Sequence, residues 1–187
     1  MNEADQKSGF SPDRYRTYLL LLARMQLGAR PRSRVEPSDI VQQTLLDAHA
    51  RKPAFQGDEV AYLAWLRQVL ANNLRDAWKA LRRGKRDIAR ERPLDAAVDE
   101  SSARITCWLA SDQSSPSRRA IRAEDMLQLA DALALLPDAQ REAIILHHLQ
   151  GWTLHEVALQ MERGEPAVAG LLHRGLKKLR ELMTPAS

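Results

Sequence analysis

A chain of 187 residues, 44% hydrophobic and 5% aromatic, has room for one large domain or two small ones. Its single cysteine, Cys107, excludes an internal disulfide framework. No apolar run nears the roughly 18 residues of a membrane span, and the opening MNEADQKSGFSPD lacks the apolar centre of a signal peptide. A soluble, cytoplasmic chain with no membrane association is therefore expected, and its net charge of +4 and pI of about 9.5 suit a polyanionic partner without establishing one.

Leu and Ala dominate and β-branched runs are scarce, which favours an all-α fold. Residues 1–10 read as a frayed start. Ser11-Pro12 then opens a helix whose buried stripe is Tyr15, Tyr18, Leu19, Leu22 and Met25, ending near Gly28. Arg30, Arg32 and Arg34 form a basic loop. A second helix, DIVQQTLLDAHARK, starts at Asp39. Val41, Leu45 and Ala48 make one face, while Asp39, Gln42, Gln43 and Leu46 lie on another that suits an interface.

Pro53 and the Phe55–Asp58 turn lead into a long amphipathic helix over about 59–82, with Leu63, Leu66, Leu70, Leu74, Ala77 and Leu81 at three- and four-residue steps. On and beside that stripe sit Tyr62, Trp65, Asn72, Asn73, Arg75, Trp78 and Lys79. The helix runs into Arg82, Arg83, Lys85, Arg86, Arg90 and Arg92. Cations interleaved with rings and amides can hold a single strand, phosphates on Arg and Lys and bases on the rings. A core role for each tryptophan and a solvated basic tail is the plainer alternative.

From about residue 84 to 117 the periodicity fails, and DESSARITCWLASDQSSPS reads as a flexible linker at a domain boundary, with Ile105, Trp108 and Leu109 as a small docking turn within it. Ser115-Pro116 begins a further helix carrying Met126, Leu129, Leu133 and Leu136. Three helices follow, joined by two tight turns. The first starts at Leu136-Pro137 and stops at Gln150-Gly151. The second opens with a capping box, Thr153 and Glu156. The last starts after Arg163-Gly164, with Val168, Leu172, Leu176, Leu179 and Met183 on one side and His173, Arg174, Lys177, Lys178 and Arg180 on the other. Two helices about a short turn, the second long and basic, suit a helix-turn-helix over 153–180.

Catalytic and metal-binding patterns are missing. Five histidines and one cysteine show no HExxH or CxxC spacing, adjacent His147 and His148 point to different helix faces, and neither GxxxxGK[ST] nor GxSxG occurs. No enzyme activity, cofactor or metal is expected.

The order of these pieces (DIVQQTLL, AYLAWLRQVLANNLRDAWKALRR, a polar linker, LPDAQREAIIL, GWTLHEVALQM, AVAGLLHRGLKKLREL) resembles the extracytoplasmic-function branch of bacterial RNA polymerase sigma factors, from about Tyr15 to Met183. The resemblance implies two small helical domains joined by a flexible linker: a region 2 bundle at 11–92, a linker at 93–116 and a region 4 helix-turn-helix at 117–184. It implies RNA polymerase core as a partner, through its β′ clamp and β flap, together with promoter DNA. The chain is expected to be a monomer, with an anti-sigma factor as a further candidate partner. The clamp-facing pattern D-x-V-Q-E-T-F appears as Asp39-Ile40-Val41-Gln42-Gln43-Thr44-Leu45, which with Leu46 marks Asp39, Val41, Gln42, Gln43 and Leu46 as polymerase contacts. The −10 set it implies is Tyr62, Trp65, Asn72, Arg75, Lys79, Arg82 and Arg83, with Asn72 matching an asparagine that lines the pocket of a flipped-out base. The −35 set is Thr153, Glu165, Ala167, Ala169, Gly170, His173, Arg174, Lys177 and Lys178. The family's usual cations are missing at Ala169 and Leu171, so −35 contacts should be few.

Three function classes compete. One is a promoter-specificity subunit acting only on core polymerase, one a dimeric helix-turn-helix regulator, and one a sigma-like interaction protein that has lost DNA reading. The Trp, Asn and Arg content of helix 59–82 favours the first, since an operator-binding regulator has no use for a strand-opening domain. Ala169 and Leu171 keep the third open.

Overall fold

The computed structural model describes residues 11–27, 35–51, 57–82, 94–112 and 123–184, and every regular element among them is helical. The Arg30–Arg34 loop, Pro53, the Phe55-Gln56 half of the expected Phe55–Asp58 turn, Ser115-Pro116 and the basic run from Arg83 to Arg92 lie outside the described residues. The chain divides into two compact units, Met1–Ser102 and Ala103–Ser187.

In the first unit a 3₁₀ turn, Pro12–Tyr15, leads into α1 (Arg16–Leu27), followed by α2 (Pro37–Arg51), α3 (Glu59–Arg82) and the start of α4 (Leu94–Asp112). The expected stripe of α1 is the core: Tyr15, Tyr18, Leu19, Leu22 and Met25 are all buried, against Val41, Leu45 and Ala48 of α2 and Leu66, Leu70 and Leu74 of α3. Asp58 starts α3 by accepting the Ala61 backbone N–H at 2.8 Å. Glu59 ties that end down, accepting from the Tyr15 hydroxyl at 3.0 Å and pairing with Arg14 at 3.1 Å. Burial, reinforced by the Glu59 carboxylate, pushes the Tyr15 phenol well above its usual range.

The supposed flexible linker departs most from expectation. Residues 94–112 form helix α4, and the boundary between the units falls within it, after Ser102. Leu94, Val98, Ser101, Ser102, Ile105 and Leu109 recur at steps of three and four and are buried. Polar residues are not confined to the outer side of this stripe, so the composition looks like a linker while the spacing is helical. Trp108 lies against the ring of His148, with centroids 6.1 Å apart.

The second unit contains the rest of α4, then α5 (Ala123–Ala134), α6 (Asp138–Ile144) with a π-helical last turn (Ile145–Leu149), α7 (Leu154–Gln160) and α8 (Glu165–Met183). Leu129, Leu133, Leu136, Ile144, Leu149, Val157, Val168 and Leu179 form its core. Gly151 ends the π turn at φ 76°, the left-handed conformation glycine favours, and Trp152 N–H reaches back to Leu146 O at 3.0 Å. Gly175 marks a close approach of α8 to α6, where a Cβ would meet Ile144 Cδ1 at 2.9 Å and Gln140 Cβ at 3.2 Å.

Candidate nucleic-acid and polymerase interface

Asp39, Gln42, Gln43 and Leu46 are all exposed on α2, Leu46 by 57%. Their three- and four-residue spacing lines them along one side of the helix. Gln43 donates to Asp47 Oδ1 at 2.8 Å. Val41, expected among the outward contacts, is 1% exposed and belongs to the core. Two residues on from Asp39 is roughly 200° around the helix, so the two side chains cannot share a face.

On α3 the residues Trp65, Gln68, Asn72, Arg75 and Lys79 follow at steps of three and four, a half-buried to exposed polar stripe beside the core stripe. Arg75 Nη1 donates to Asn72 Oδ1 at 2.7 Å, and Arg75 Nη2 lies 2.6 Å from Asp95 Oδ2 on α4. Gln68 Nε2 donates to the other oxygen of that carboxylate at 2.8 Å. Lys79 is exposed, 3.5 Å from Asp76. Tyr62 does not belong to this surface: it is fully buried, its ring 5.4 Å from both Tyr15 and Trp65, because position 62 falls on the stripe of Leu66 and Leu70. Arg82 is the last residue of α3, and Arg83 lies outside the described residues.

In the second unit Thr153 caps α7 reciprocally. Its Oγ1 accepts the Glu156 N–H at 3.2 Å, and Glu156 Oε2 accepts the Thr153 N–H at 2.7 Å. Those hydrogen bonds, chiefly the backbone one, lower the Glu156 carboxyl below its usual value. The turn to α8 passes through Glu162 at φ 52°, an uncommon conformation for a residue with a side chain. Gly164 caps α8, and Glu165 in its first turn lies 2.9 Å from His155 Nδ1 of α7. Val168, Leu172, Gly175 and Leu179 face the core. Ala167, Ala169, His173, Arg174, Lys177 and Lys178 are exposed, and Gly170 is partly so. The first turns of this outer side carry an acid and two alanines; its cations begin at Arg174, whose guanidinium folds back over Gly170, 3.2 Å from where a Cβ would stand.

Residues that the sequence reading left out also matter. Asp95 and Asp99 of α4 meet Arg75 and Arg67 of α3, the latter pair at 2.8 Å. The signal available was a pair of acids one helical turn apart, beside the Leu94–Val98 stripe. Among the described residues there is no group of three or more side chains arranged to hold a metal ion, and no helix long and apolar enough to cross a membrane.

Residues 126–179, from α5 to near the end of α8, match the family model described as Sigma-70, region 4. The chain is 32% identical over 148 residues to the ECF RNA polymerase sigma factor SigF of Caulobacter vibrioides, covering 79% of this chain and 71% of that one. It is 28% identical over 145 residues to the RNA polymerase sigma factor CarQ of Myxococcus xanthus, covering 78% and 73%. The sigma factor RpoE of Bartonella quintana, solved in complex with the anti-sigma factor NepR, aligns over 95% of this chain and 100% of that one at 19% identity, with a TM-score of 0.37, too low to bear on the fold. The region 4 match and the 32% identity to an ECF sigma factor over 79% of the chain therefore assign this chain to the ECF-type RNA polymerase sigma factors, proteins of transcription initiation.

Proposed function

We propose that the chain is the promoter-specificity subunit of a bacterial RNA polymerase, acting in the cytoplasm and only when mounted on the core enzyme. Residues 11–92 serve as region 2 and residues 117–184 as region 4, with α4 between them. The outer side of α2, Asp39, Gln42, Gln43 and Leu46, docks on the β′ clamp, and region 4 docks on the β flap. Trp65, Asn72, Arg75 and Lys79 of α3 hold the melted −10 strand, and Arg82 and Arg83, next in sequence, are assigned to the same strand. The exposed side of α8 lies in the major groove of the −35 element, contacting it mainly through Arg174, Lys177 and Lys178.

One observation carries this reading. Asn72 stands on an accessible stripe of α3 that also carries the half-buried Trp65 and two cations, Arg75 and Lys79, rather than in the core. Rings, amides and cations at helical spacing are what a single strand requires. Extracting a base costs a few kcal/mol, which pocket contacts must offset.

The test is run-off transcription with purified core polymerase on a promoter library. The chain should redirect initiation to a defined set of sites. Asn72→Ala should bind core polymerase normally and form no open complex on those sites. Unchanged transcript yield from that variant would refute the assignment.

A further inference from the structure

We infer that the first half of α4 is an acidic latch that occupies the strand-holding surface of α3, so that promoter DNA must displace Asp95 to reach Arg75. The inference rests on the proposed role of Arg75 in holding the strand and adds a regulation of that same surface.

One carboxylate engages two members of the polar stripe. Asp95 Oδ2 is 2.6 Å from Arg75 Nη2, and Asp95 Oδ1 accepts from Gln68 at 2.8 Å. The second arm of the Arg75 guanidinium is taken by Asn72 at 2.7 Å. A carboxylate offers a guanidinium two anionic oxygens, as a phosphodiester does. Asp99 repeats the arrangement one turn on, at Arg67.

The segment is built to lie there. Leu94 and Val98 are buried. The Tyr18 and Ser102 hydroxyls share a hydrogen bond at 2.9 Å, and Gln26 donates to Ala97 O at 3.1 Å and to Ser101 Oγ at 2.7 Å. The anionic contacts themselves are weak enough to yield. The Arg75 and Asp95 side chains are 35% and 37% exposed, a setting in which an ion pair contributes little. A polyanion gains in addition from the counterions it releases on binding. The apolar and hydroxyl contacts therefore hold α4 in place, while the carboxylates set a threshold for strand entry.

The experiment measures binding of the full chain, without polymerase, to a fluorescein-labelled thymidine oligonucleotide by anisotropy at low salt. Asp95→Asn keeps the side-chain shape and removes the charge. It should tighten binding by about threefold, the scale of one exposed ion pair, and Asp95→Asn with Asp99→Asn should tighten it further. Glu36→Gln removes one exposed acid from the same unit, just ahead of α2 rather than on α3 or α4, and should change nothing. Adding Arg75→Ala to Asp95→Asn should erase the gain. Far-UV circular dichroism of each variant checks that α4 remains helical.

If Asp95→Asn binds like wild type while Arg75→Ala weakens the wild-type chain, the latch is overturned and the strand-holding role of Arg75 stands. An equal gain from Glu36→Gln overturns the latch as well, since general charge then explains the effect. If Arg75→Ala changes binding in neither background and leaves open-complex formation intact, the reading of the surface falls and the latch falls with it.

Discussion

The side-chain amide of Asn73 on α3 donates to Asp47 on α2 across 3.1 Å, while its neighbour Asn72 is turned away onto the polar stripe. Asn73 also reaches Thr44 Oγ1 at 3.2 Å, and Thr44, fully buried, spends its own hydroxyl proton on Ile40 O at 2.7 Å. Adjacent asparagines are therefore placed differently, one bracing α2 and the other lying on the polar stripe. Asn73→Ala should destabilise the first unit by about 1–2 kcal/mol, because partly buried acceptors lose their donor. Asn72→Ala should leave thermal stability close to wild type and act on promoter opening alone. Thermal melts of the two variants, set beside their open-complex yields, check the split.

The two sides of α2 make a similar pair. Leu46→Arg, at a position 57% exposed, should leave the melting temperature unchanged and weaken capture of core polymerase by about tenfold, the effect of placing a long cation where an apolar contact belongs. Val41→Ala should do the reverse, lowering stability by about 2 kcal/mol through a buried cavity without directly touching polymerase. Pull-down of core enzyme and chemical denaturation separate the outcomes.

The cap of α7 gives the helix-turn-helix an acid sensitivity of known sign. The Glu156 carboxyl is lowered in the folded chain by the Thr153 N–H and hydroxyl. A depressed carboxylate adds stability that is fully present above its unfolded value and is lost as pH falls through its folded one. Stability measured from neutral pH downward should therefore drop below about pH 4.5 in the wild type, and this part of the drop should be missing in Glu156→Gln. Thr153→Ala removes the hydroxyl cap and should cost about 1 kcal/mol at neutral pH.

The outer side of α8 can be made to hold DNA more strongly. Ala169 is exposed and precedes the cations that begin at Arg174. Ala169→Lys should increase affinity for duplex carrying the −35 element and steepen the plot of log affinity against log salt by about one unit, the contribution of a single added phosphate contact. An unchanged slope would mean that this side of α8 does not face the backbone.

Much of this architecture was legible in the residues because the signals are local. The Thr153–Glu156 box involves residues three apart, and the α1 stripe from Tyr15 to Met25 repeats at helical spacing, so neither needs a distant partner to be recognised. Helix α4 escaped because Ser101 and Ser102 sit on its buried side, satisfied by Tyr18 and Gln26 from far along the chain. Only the folded unit reveals those partners. Val41 and Tyr62 went astray for another reason: a shared motif carries residue identity but not helical phase, and both belong to the inner stripe of their helices. Asp95 was invisible as part of the surface because its meaning depends on Arg75, twenty residues earlier.

The bare backbone at Gly175 sets the seat of α8. With no side chain between the two helices at that point, the standoff of α8 from its support is the thickness of main chain plus the tips of Ile144 and Gln140. Any larger residue would act as a shim, tilting the outward side of α8 relative to the rest of its unit. On the function proposed above, that tilt would re-aim Arg174, Lys177 and Lys178 although none of the three had been altered.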